Sequence, residues 1–177
     1  MALNRPLWSV SIGGMEGTRT YNWVDPVTMA GLSQEMSGLE FSRHLLEAGE
    51  AGVMPIAATL SFRLDAISEG HAELVCDLGE HLYNPIGMVH GGVSATLLES
   101  AAGYAVQTTV PTASNYTTLD LSMHYLRPVT LDLGTVRAIG DVVNRGRRTA
   151  LARAELRDSS GRLLAHATSS CMVFPEP

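Results

Sequence analysis

Residues 91–106 restrict the possible folds of this chain more than any other stretch. Placed on a helix, the segment has apolar side chains around most of its circumference. These are Val93, Leu97, Leu98, Ala101, Ala102, Ala105 and Val106. A helix that is apolar on nearly all sides must be buried, and its alanines and glycines allow a sheet to approach closely. We therefore predict one central helix with the remaining elements wrapped around it.

Alternation typical of strands precedes and follows this helix. Residues 59–67 and 72–78 alternate between apolar and polar side chains on either side of a turn at 68–70, which predicts a hairpin. Residues 118–126 alternate again, and one face of this strand is predicted to be dry. The apolar members of that face are Leu119, Leu121, Met123 and Tyr125.

Three more strands are predicted near the end of the chain. They cover about 131–143, 148–157 and 163–174, with turns at 144–146 and 158–161. The element order is then ββαββββ. This order predicts an α+β fold in which an antiparallel sheet of about six strands wraps around one long central helix.

The N-terminal part of the chain is predicted to be separate from this unit. Residues 1–24 show no clear period, and we divide the chain into an arm with a short helix at 1–36 and a main domain at 37–177.

Two helix starts are recognisable in this N-terminal part. Asp25 followed by Pro26 predicts one start, with a carboxylate cap and proline at the first helical position. The sequence SGLE at 37–40 is a capping box and predicts another. The second helix is expected to end near Gly49 and Gly52.

The charges are unevenly distributed along the chain. The net charge is −6, and all 12 cationic side chains are arginine. Residues 1–126 hold 4 Arg against 13 acidic residues (−9), whereas residues 127–177 hold 8 Arg against 5 (+3). This balance argues against a nucleic-acid partner. The arginines of residues 127–177 then have two possible roles. They form a patch that binds a small polyanion, or they are solvent-exposed side chains on strands.

The apolar runs and the cysteine spacing of the sequence bear on cellular location and on metal binding. The first 20 residues contain no apolar run typical of a signal peptide, and no stretch reaches the roughly 20 apolar residues of a membrane span. We expect a cytoplasmic protein without a membrane partner. Cys76 and Cys171 lie far apart, outside any zinc-binding spacing, and are expected to be buried and unreactive.

Glu99 is unusual within the central helix. Its neighbours three and four positions away are Ala95, Thr96, Ala102 and Gly103, and no cation occurs between Arg63 and Arg127. Either Glu99 lies on the one solvent-exposed strip of the helix, or it lines a pocket, where it is withdrawn from water and acts as a base or nucleophile.

The residues just before the helix suggest an oxyanion site. Gly91 and Gly92 fall in the first helical turn, where backbone N–H groups lack helical partners and the helix dipole favours negative charge. Such an N–H could stabilise the oxyanion of an acyl-transfer step. His90 and Asn84 are each weak indications alone, since either residue could serve only the turn.

Taken together, this segment resembles the signature of a known family. NPIGxxHGG, followed by a carboxylate nine residues after the histidine, resembles the motif of hotdog-fold acyl-CoA thioesterases of the phenylacetyl-CoA and hydroxybenzoyl-CoA thioesterase type. The resemblance covers about residues 38–174, including TTLDLSMHYLRPVT and GRRTALARAELRDSSGRLLAHATSS.

The resemblance implies roles for five residues. Glu99 occupies the catalytic carboxylate position, as nucleophile or general base, and Gly91 supplies the N–H for the carbonyl oxygen. Asn84 occupies the position of a supporting polar group, and His90 that of the motif histidine beside the thioester. Thr118 falls where some members place a hydroxyl that orients water.

The expected substrate contacts extend beyond these five residues. We predict substrate binding by Gly92, Met88 and Tyr104. Candidates for the coenzyme A phosphates are Arg127, Arg145, Arg147 and Arg148.

The leading prediction is an acyl-CoA thioesterase that hydrolyses an aromatic or medium-chain acyl-CoA. Glu99, where many members have Asp, resembles the branch acting on aromatic thioesters. No separate cofactor is expected, because coenzyme A is part of the substrate. The family's site lies between subunits, which implies a homodimer or a dimer of dimers. The alternatives are a hotdog-fold dehydratase or hydratase and a non-catalytic acyl-CoA-binding protein. The absence of GxGxxG argues against dinucleotide binding.

Overall fold

The computed structural model describes residues 17–49 and 53–175. Within these residues the helices are α1 (Pro26–Glu35), α2 (Gly38–Ala48), α3 (Pro55–Leu60) and α4 (Gly91–Gln107). The strands are β1 (Phe62–Ser68), β2 (His71–Asp77), β3 (Ser114–Thr118), β4 (Ser122–Tyr125), β5 (Thr135–Arg145), β6 (Thr149–Asp158) and β7 (Leu163–Pro175).

The strands form one antiparallel sheet around α4, as predicted. The strand order is β1-β2-β5-β6-β7-β3, and β4 pairs with the first part of β7 while β3 pairs with its last part. The helix packs against β2, β5, β6 and β7. Leu97, Leu98 and Ala101 of α4 are fully buried at this contact. The prediction of an α+β fold with a sheet wrapped around one long helix is confirmed.

Three strand predictions were wrong at their starts, and the strand predicted from 118 begins at Ser114. The first strand begins at Phe62 rather than at 59, because Pro55–Leu60 form the short helix α3, which lacks a side-chain cap that the sequence would reveal. The strand predicted from 131 begins at Thr135, since Leu131–Leu133 form a 3-10 turn that ends at Gly134 with a φ of 67°. Glycine adopts this left-handed conformation without the steric cost of a side chain.

The predicted sheet of about six strands contains seven because its edge strand is interrupted. Thr118 pairs with Cys171, whereas Ser122 pairs with Thr168, so residues 119–121 face only two residues of β7. This extra residue is a β-bulge.

The bulge also explains an error in the predicted dry face. Leu121 and Met123 are half-buried and contact the core, as expected, but Leu119 and Tyr125 are each 57% exposed. Tyr125 is exposed because it lies at the end of β4, beyond the residues that cover the core. Before the bulge, Tyr116 is the residue that packs inward. The alternation changes phase at the bulge, so Leu119 points away from the core.

The two N-terminal helices begin as predicted. The Asp25 carboxylate accepts the N–H groups of Val27 and Thr28 at the start of α1. Ser37 and Glu40 form a reciprocal capping box at the start of α2, and α2 ends at Gly49. Residues 1–16 and Gly52 lie outside the described residues. The division at residue 36 stays a prediction.

Both cysteines are buried and carry no disulfide. Burial raises the pKa of the Cys76 thiol to about 12, which keeps it protonated and unreactive. In the described ranges, no helix has the length and apolar content needed to span a membrane.

Candidate active site

Glu99 lies on the flank of α4 that faces β3. Its side chain is half-buried, and Glu99 Oε1 accepts a hydrogen bond from Thr118 Oγ1 at 2.7 Å. In the part of the chain that the structure describes, no arginine or histidine forms an ion pair with this carboxylate. The Glu99 carboxylate is therefore partly withdrawn from water, is held by one hydroxyl and has no described cation as an ion-pair partner.

The surroundings of Glu99 are poorly solvated. Tyr116 is packed so closely on α4 that its hydroxyl would lie 2.7 Å from a Cβ added at Gly103. Burial, reinforced by the charge of Glu99, raises the pKa of the Tyr116 hydroxyl and raises that of Tyr104 to about 12. Burial also raises the pKa of the Cys171 thiol, which pairs with Thr118 across the sheet. Tyr116, Tyr104 and Cys171 therefore stay protonated at neutral pH.

His90 caps the N-terminus of α4. Its Nδ1 accepts the N–H of Gly92 at 2.9 Å, which requires the hydrogen of the neutral ring to be on Nε2. The prediction that both glycine N–H groups are open was therefore wrong for Gly92, because the imidazole occupies it. The Gly91 N–H has no hydrogen-bond partner among the described residues. Gly91 is accordingly the donor available to a ligand at this helix end.

A surface groove of about 380 Å³ adjoins the Gly91 backbone. Its lining brings together four residues predicted from the sequence, Asn84, Met88, Gly91 and Arg127. Asn84 Oδ1 accepts the N–H groups of residues 86 and 88, each at 3.1 Å, which orients the amide so that its NH₂ group is the half left for other partners.

Tyr125 also lines this groove and was not predicted as a site residue. Its hydroxyl donates to the Gly91 carbonyl oxygen at 3.0 Å, and its ring would lie about 3.2 Å from a Cβ at position 91. A side chain at position 91 would therefore require the Tyr125 ring to shift by a few tenths of an ångström. The signal that could have indicated Tyr125 is its place at the end of the alternating segment that follows α4.

The arginines of the last third of the chain divide into two groups. Arg137, Arg153, Arg157 and Arg162 form ion pairs with carboxylates. No such pair with a described residue involves Arg127, Arg145, Arg147 or Arg148, the four predicted phosphate ligands.

Three of the arginines without such a pair share one groove, which we call the arginine groove. Arg145, Arg147 and Arg148 line it beside Ser114 and Phe174, and its volume is about 490 Å³. Arg127 lies elsewhere, next to the start of β7, where its backbone N–H donates to Leu164 O. Arg148 lies next to the end of β7, where its carbonyl oxygen accepts from the N–H of Val173. Those two points are nine residues apart on β7, or about 30 Å.

Comparison with known proteins identifies the family. The model of the thioesterase superfamily matches residues 86–165. A Halobacterium salinarum protein that is provisionally named an esterase is 32% identical over an alignment of 123 residues, and the match covers 65% of this chain and 82% of that protein. The chain belongs to the thioesterase superfamily. It is a thioester hydrolase.

Further relatives of this thioesterase support the same assignment. A Listeria monocytogenes 1,4-dihydroxy-2-naphthoyl-CoA hydrolase is 23% identical over 68% of this chain and 94% of that protein. The crystal structure of a Ralstonia eutropha protein, described provisionally as a thioesterase related to phenylacetic acid degradation, is 32% identical with a TM-score of 0.65. That match covers 74% of this chain and 97% of the other.

Within one chain of the thioesterase, Glu99 and Gly91 are not neighbours. They are eight residues apart on α4, which separates them by about 12 Å along the helix axis. A carbonyl oxygen bound at the Gly91 N–H is therefore out of reach of the Glu99 carboxylate of the same chain.

Tyr104 projects from a different side of α4 than Glu99, at a distance where the Glu99 charge still adds to burial in raising the pKa of Tyr104. It is five positions further along α4, or about 140° further round the helix. There it lines a small apolar cavity with residues that include Leu45, Met54 and Phe62. A substrate contact with Tyr104 stays a prediction.

Proposed function

We propose that this thioesterase hydrolyses acyl-CoA thioesters with an aromatic or medium-chain acyl group. In this proposal Glu99 is the nucleophile or general base, and the Gly91 N–H is the oxyanion donor. The observation that carries the proposal is the 2.7 Å hydrogen bond from Thr118 Oγ1 to Glu99 Oε1. It fixes a half-buried carboxylate that has no described cation partner, which is the state required of a base or nucleophile.

The reaction follows from these groups. The Gly91 N–H and the α4 dipole stabilise the negative charge that develops on the thioester carbonyl oxygen. Glu99 either attacks the carbonyl carbon, giving an anhydride that water then cleaves, or takes a proton from the attacking water. In both routes the C–S bond breaks, the thiolate leaves and is protonated, and the acyl group ends as a free acid.

The site is proposed to form between two copies of the chain. One argument is the separation of Glu99 from Gly91 along α4, which a second subunit would remove by placing its own Glu99 opposite the first subunit's Gly91. A second argument is an exposed apolar strip along the edge strand, with Leu119 57% exposed and Tyr125 and Leu126 also exposed. Such a strip is typical of an interaction surface. We therefore propose a homodimer or a dimer of dimers.

Coenzyme A is the proposed carrier for two reasons. The arginine groove offers three guanidinium groups that no described carboxylate neutralises, and guanidinium groups bind phosphates through paired hydrogen bonds. In addition, the Listeria relative is named as a hydrolase of an aromatic acyl-CoA. That name concerns the relative and supports the aromatic class here by similarity.

The assay for released thiol also distinguishes two alternative functions. A dehydratase or hydratase would change the absorbance of an enoyl thioester without releasing thiol. A non-catalytic binding protein would bind acyl-CoA in a calorimeter without releasing thiol. A hydrolase releases free thiol stoichiometrically with acid.

The decisive experiment measures thiol release from a panel of aromatic and medium-chain acyl-CoAs. We expect Glu99→Gln, which keeps the shape of the side chain, to lower kcat on the order of 10²-fold or more. Glu47→Gln on the exposed side of α2 is the matched control and is expected to retain the wild-type rate. Full activity of Glu99→Gln would refute the assignment of Glu99.

A mixing experiment tests the shared site. Gly91→Val and Glu99→Gln are each expected to lower the activity on the order of 10²-fold or more. Heterodimers of the two variants contain one site in which both residues are intact. Re-equilibrated mixtures are expected to recover up to about a quarter of the wild-type activity if subunits combine statistically. No recovery in mixtures shown to have exchanged subunits would contradict a site between subunits.

A further inference from the structure

The β-bulge between β3 and β4 determines which side chains of the edge strand face α4. Thr118 and Tyr125 are seven residues apart, so in an unbroken strand they would point to opposite faces of the sheet. With one extra residue inserted between them, both point to the same face. Thr118 then contacts Glu99, and Tyr125 contacts Gly91.

These two contacts concern the two groups on which the proposed reaction depends. One orients the carboxylate, and the other holds the peptide unit next to the proposed oxyanion donor. The hydroxyl of Tyr125 also fixes its ring against Gly91, where a Cβ would lie only 3.1 Å from the hydroxyl oxygen. A single irregularity in the edge strand is therefore required for both contacts.

The bulge is held from both sides by Asp120 and β7. On the core side, Ser169 is 1% exposed and donates its hydroxyl to the Asp120 carbonyl oxygen at 2.8 Å. On the outer side, Asp120 Oδ1 accepts the N–H of Ser170 at 3.1 Å. The carboxylate thus takes the place of the backbone carbonyl that an unbroken strand would present to Ser170. A buried hydroxyl without its acceptor costs free energy, so Ser169 favours the bulged backbone.

We propose that Asp120 is a positioning residue of the thioesterase site. Its hydrogen bonds with Ser169 and Ser170 hold the extra residue in the edge strand. Thr118 and Tyr125 then lie on the same face, where Thr118 contacts Glu99 and Tyr125 contacts Gly91. Asp120 itself does not touch the substrate. This proposal rests on the proposed function, because the two contacts matter for turnover only if Glu99 and Gly91 carry the reaction.

The first test compares two substitutions at this position. Asp120→Ala removes the acceptor for Ser170 and is expected to lower kcat about ten-fold with a smaller change in KM, as the loss of a hydrogen bond to a charged group does. Asp120→Asn keeps an oxygen acceptor and is expected to restore most of the activity. Ser169→Ala, which removes the inner hydrogen bond, is expected to lower kcat in the same direction.

The second test separates positioning from a general loss of stability. In a chain that already carries Thr118→Val and Tyr125→Phe, adding Asp120→Ala is expected to cost less than about two-fold in kcat, because its effect passes through those two residues. Asp25→Ala, which removes another exposed aspartate that caps backbone N–H groups, is the matched control. It is expected to lower stability while leaving kcat unchanged. Additive losses in the triple variant would overturn the proposal.

A crystal structure of Asp120→Ala gives a readout that does not depend on activity. We expect the Thr118–Glu99 contact or the Tyr125–Gly91 contact to be lost. If both distances are retained, Asp120 does not set the strand phase, whatever the activity of the enzyme. If the wild type cleaves no thioester, the proposed function fails, and this structural comparison still decides the role of Asp120 in the strand.

Discussion

Gly140 of β5 lies directly against the carbonyl group of Ala101 in α4. A Cβ added at Gly140 would lie 2.1 Å from the Ala101 oxygen, closer than any non-bonded contact allows. The central helix can therefore approach the sheet at this point only because position 140 has no side chain. Glu99 is two residues from Ala101, so this contact also sets the depth at which the candidate carboxylate lies.

Gly140→Ala is expected to destabilise the protein by about 3 kcal/mol, because two backbone segments would have to separate in the core. Chemical denaturation with urea measures the free energy of unfolding. Gly31→Ala in α1 is the matched control, since a Cβ there would meet nothing within 4 Å. The control is expected to be neutral or to stabilise by about 0.5–1 kcal/mol. Equal stability of both variants would contradict the close approach of α4.

Thr118→Val is expected to lower kcat about ten-fold, since it removes the hydroxyl that bonds to Glu99 but keeps the shape of the side chain. Thr118→Ser keeps the hydroxyl and is expected to remain close to the wild type. The measurement is steady-state thiol release under saturating acyl-CoA. Wild-type turnover in Thr118→Val would show that the hydrogen bond does not matter for the reaction.

The arginine groove predicts a dependence on the carrier. Arg147→Gln combined with Arg148→Gln is expected to raise KM for acyl-CoA ten-fold or more, as loss of charge-assisted hydrogen bonds costs about 1.5–3 kcal/mol. KM for the same acyl group on N-acetylcysteamine, which has no phosphates, is expected to stay unchanged. Arg153→Gln, which removes an arginine paired with Asp141, is the control. An equal rise for both substrates would place the phosphates elsewhere.

His71 makes stability depend on pH. Its Nδ1 lies 2.8 Å from Asp141 Oδ1 and its Nε2 lies 3.3 Å from Glu73 Oε1. The hydrogen bond to Asp141 is the main reason that the pKa of His71 is raised above its ordinary value of 6.5. The protonated ring therefore stabilises the folded state below about pH 6.5, and this contribution is lost as the pH rises through the folded-state pKa.

Urea denaturation between pH 5.5 and 8.5 tests this dependence. The free energy of unfolding is expected to fall with rising pH more in the wild type than in His71→Gln. The exposed His44 on α2 supplies the control, and His44→Gln is expected to behave like the wild type. The same pH dependence in His71→Gln and the wild type would assign the effect to other groups.

Local patterns were sufficient to predict the central helix and both caps near the N-terminus. The apolar circumference of residues 91–106 requires burial whatever surrounds it. The Asp25 cap and the box at 37–40 act within three residues of their own position, so no distant contact is needed to predict them. The isolation of Glu99 from cations along the sequence also holds among the residues that the structure describes.

The features missed by the sequence depend on distant partners. Leu119, Leu121, Met123 and Tyr125 form an unbroken alternation, and nothing in it reveals that Ser169 and Ser170 hold an extra residue at Asp120. For this reason the sequence did not show that Thr118 and Tyr125 lie on the same face, and the contact of Tyr125 with Gly91 was not predicted. The open N–H of Gly92 was predicted wrongly because the rotamer of His90 decides whether the ring caps that group.

If the arginine groove binds the carrier as proposed, we expect its three arginines also to affect how fast a substrate reaches the enzyme. The chain carries a net charge of −6, so a polyanion is repelled at long range. Within about a Debye length (roughly 8–10 Å at moderate ionic strength) the positive charge of the three arginines outweighs the net charge of the chain and can attract the anion to the groove. Salt would weaken both the repulsion and the attraction, and the capture of substrate would respond to ionic strength while the bond-breaking step would not.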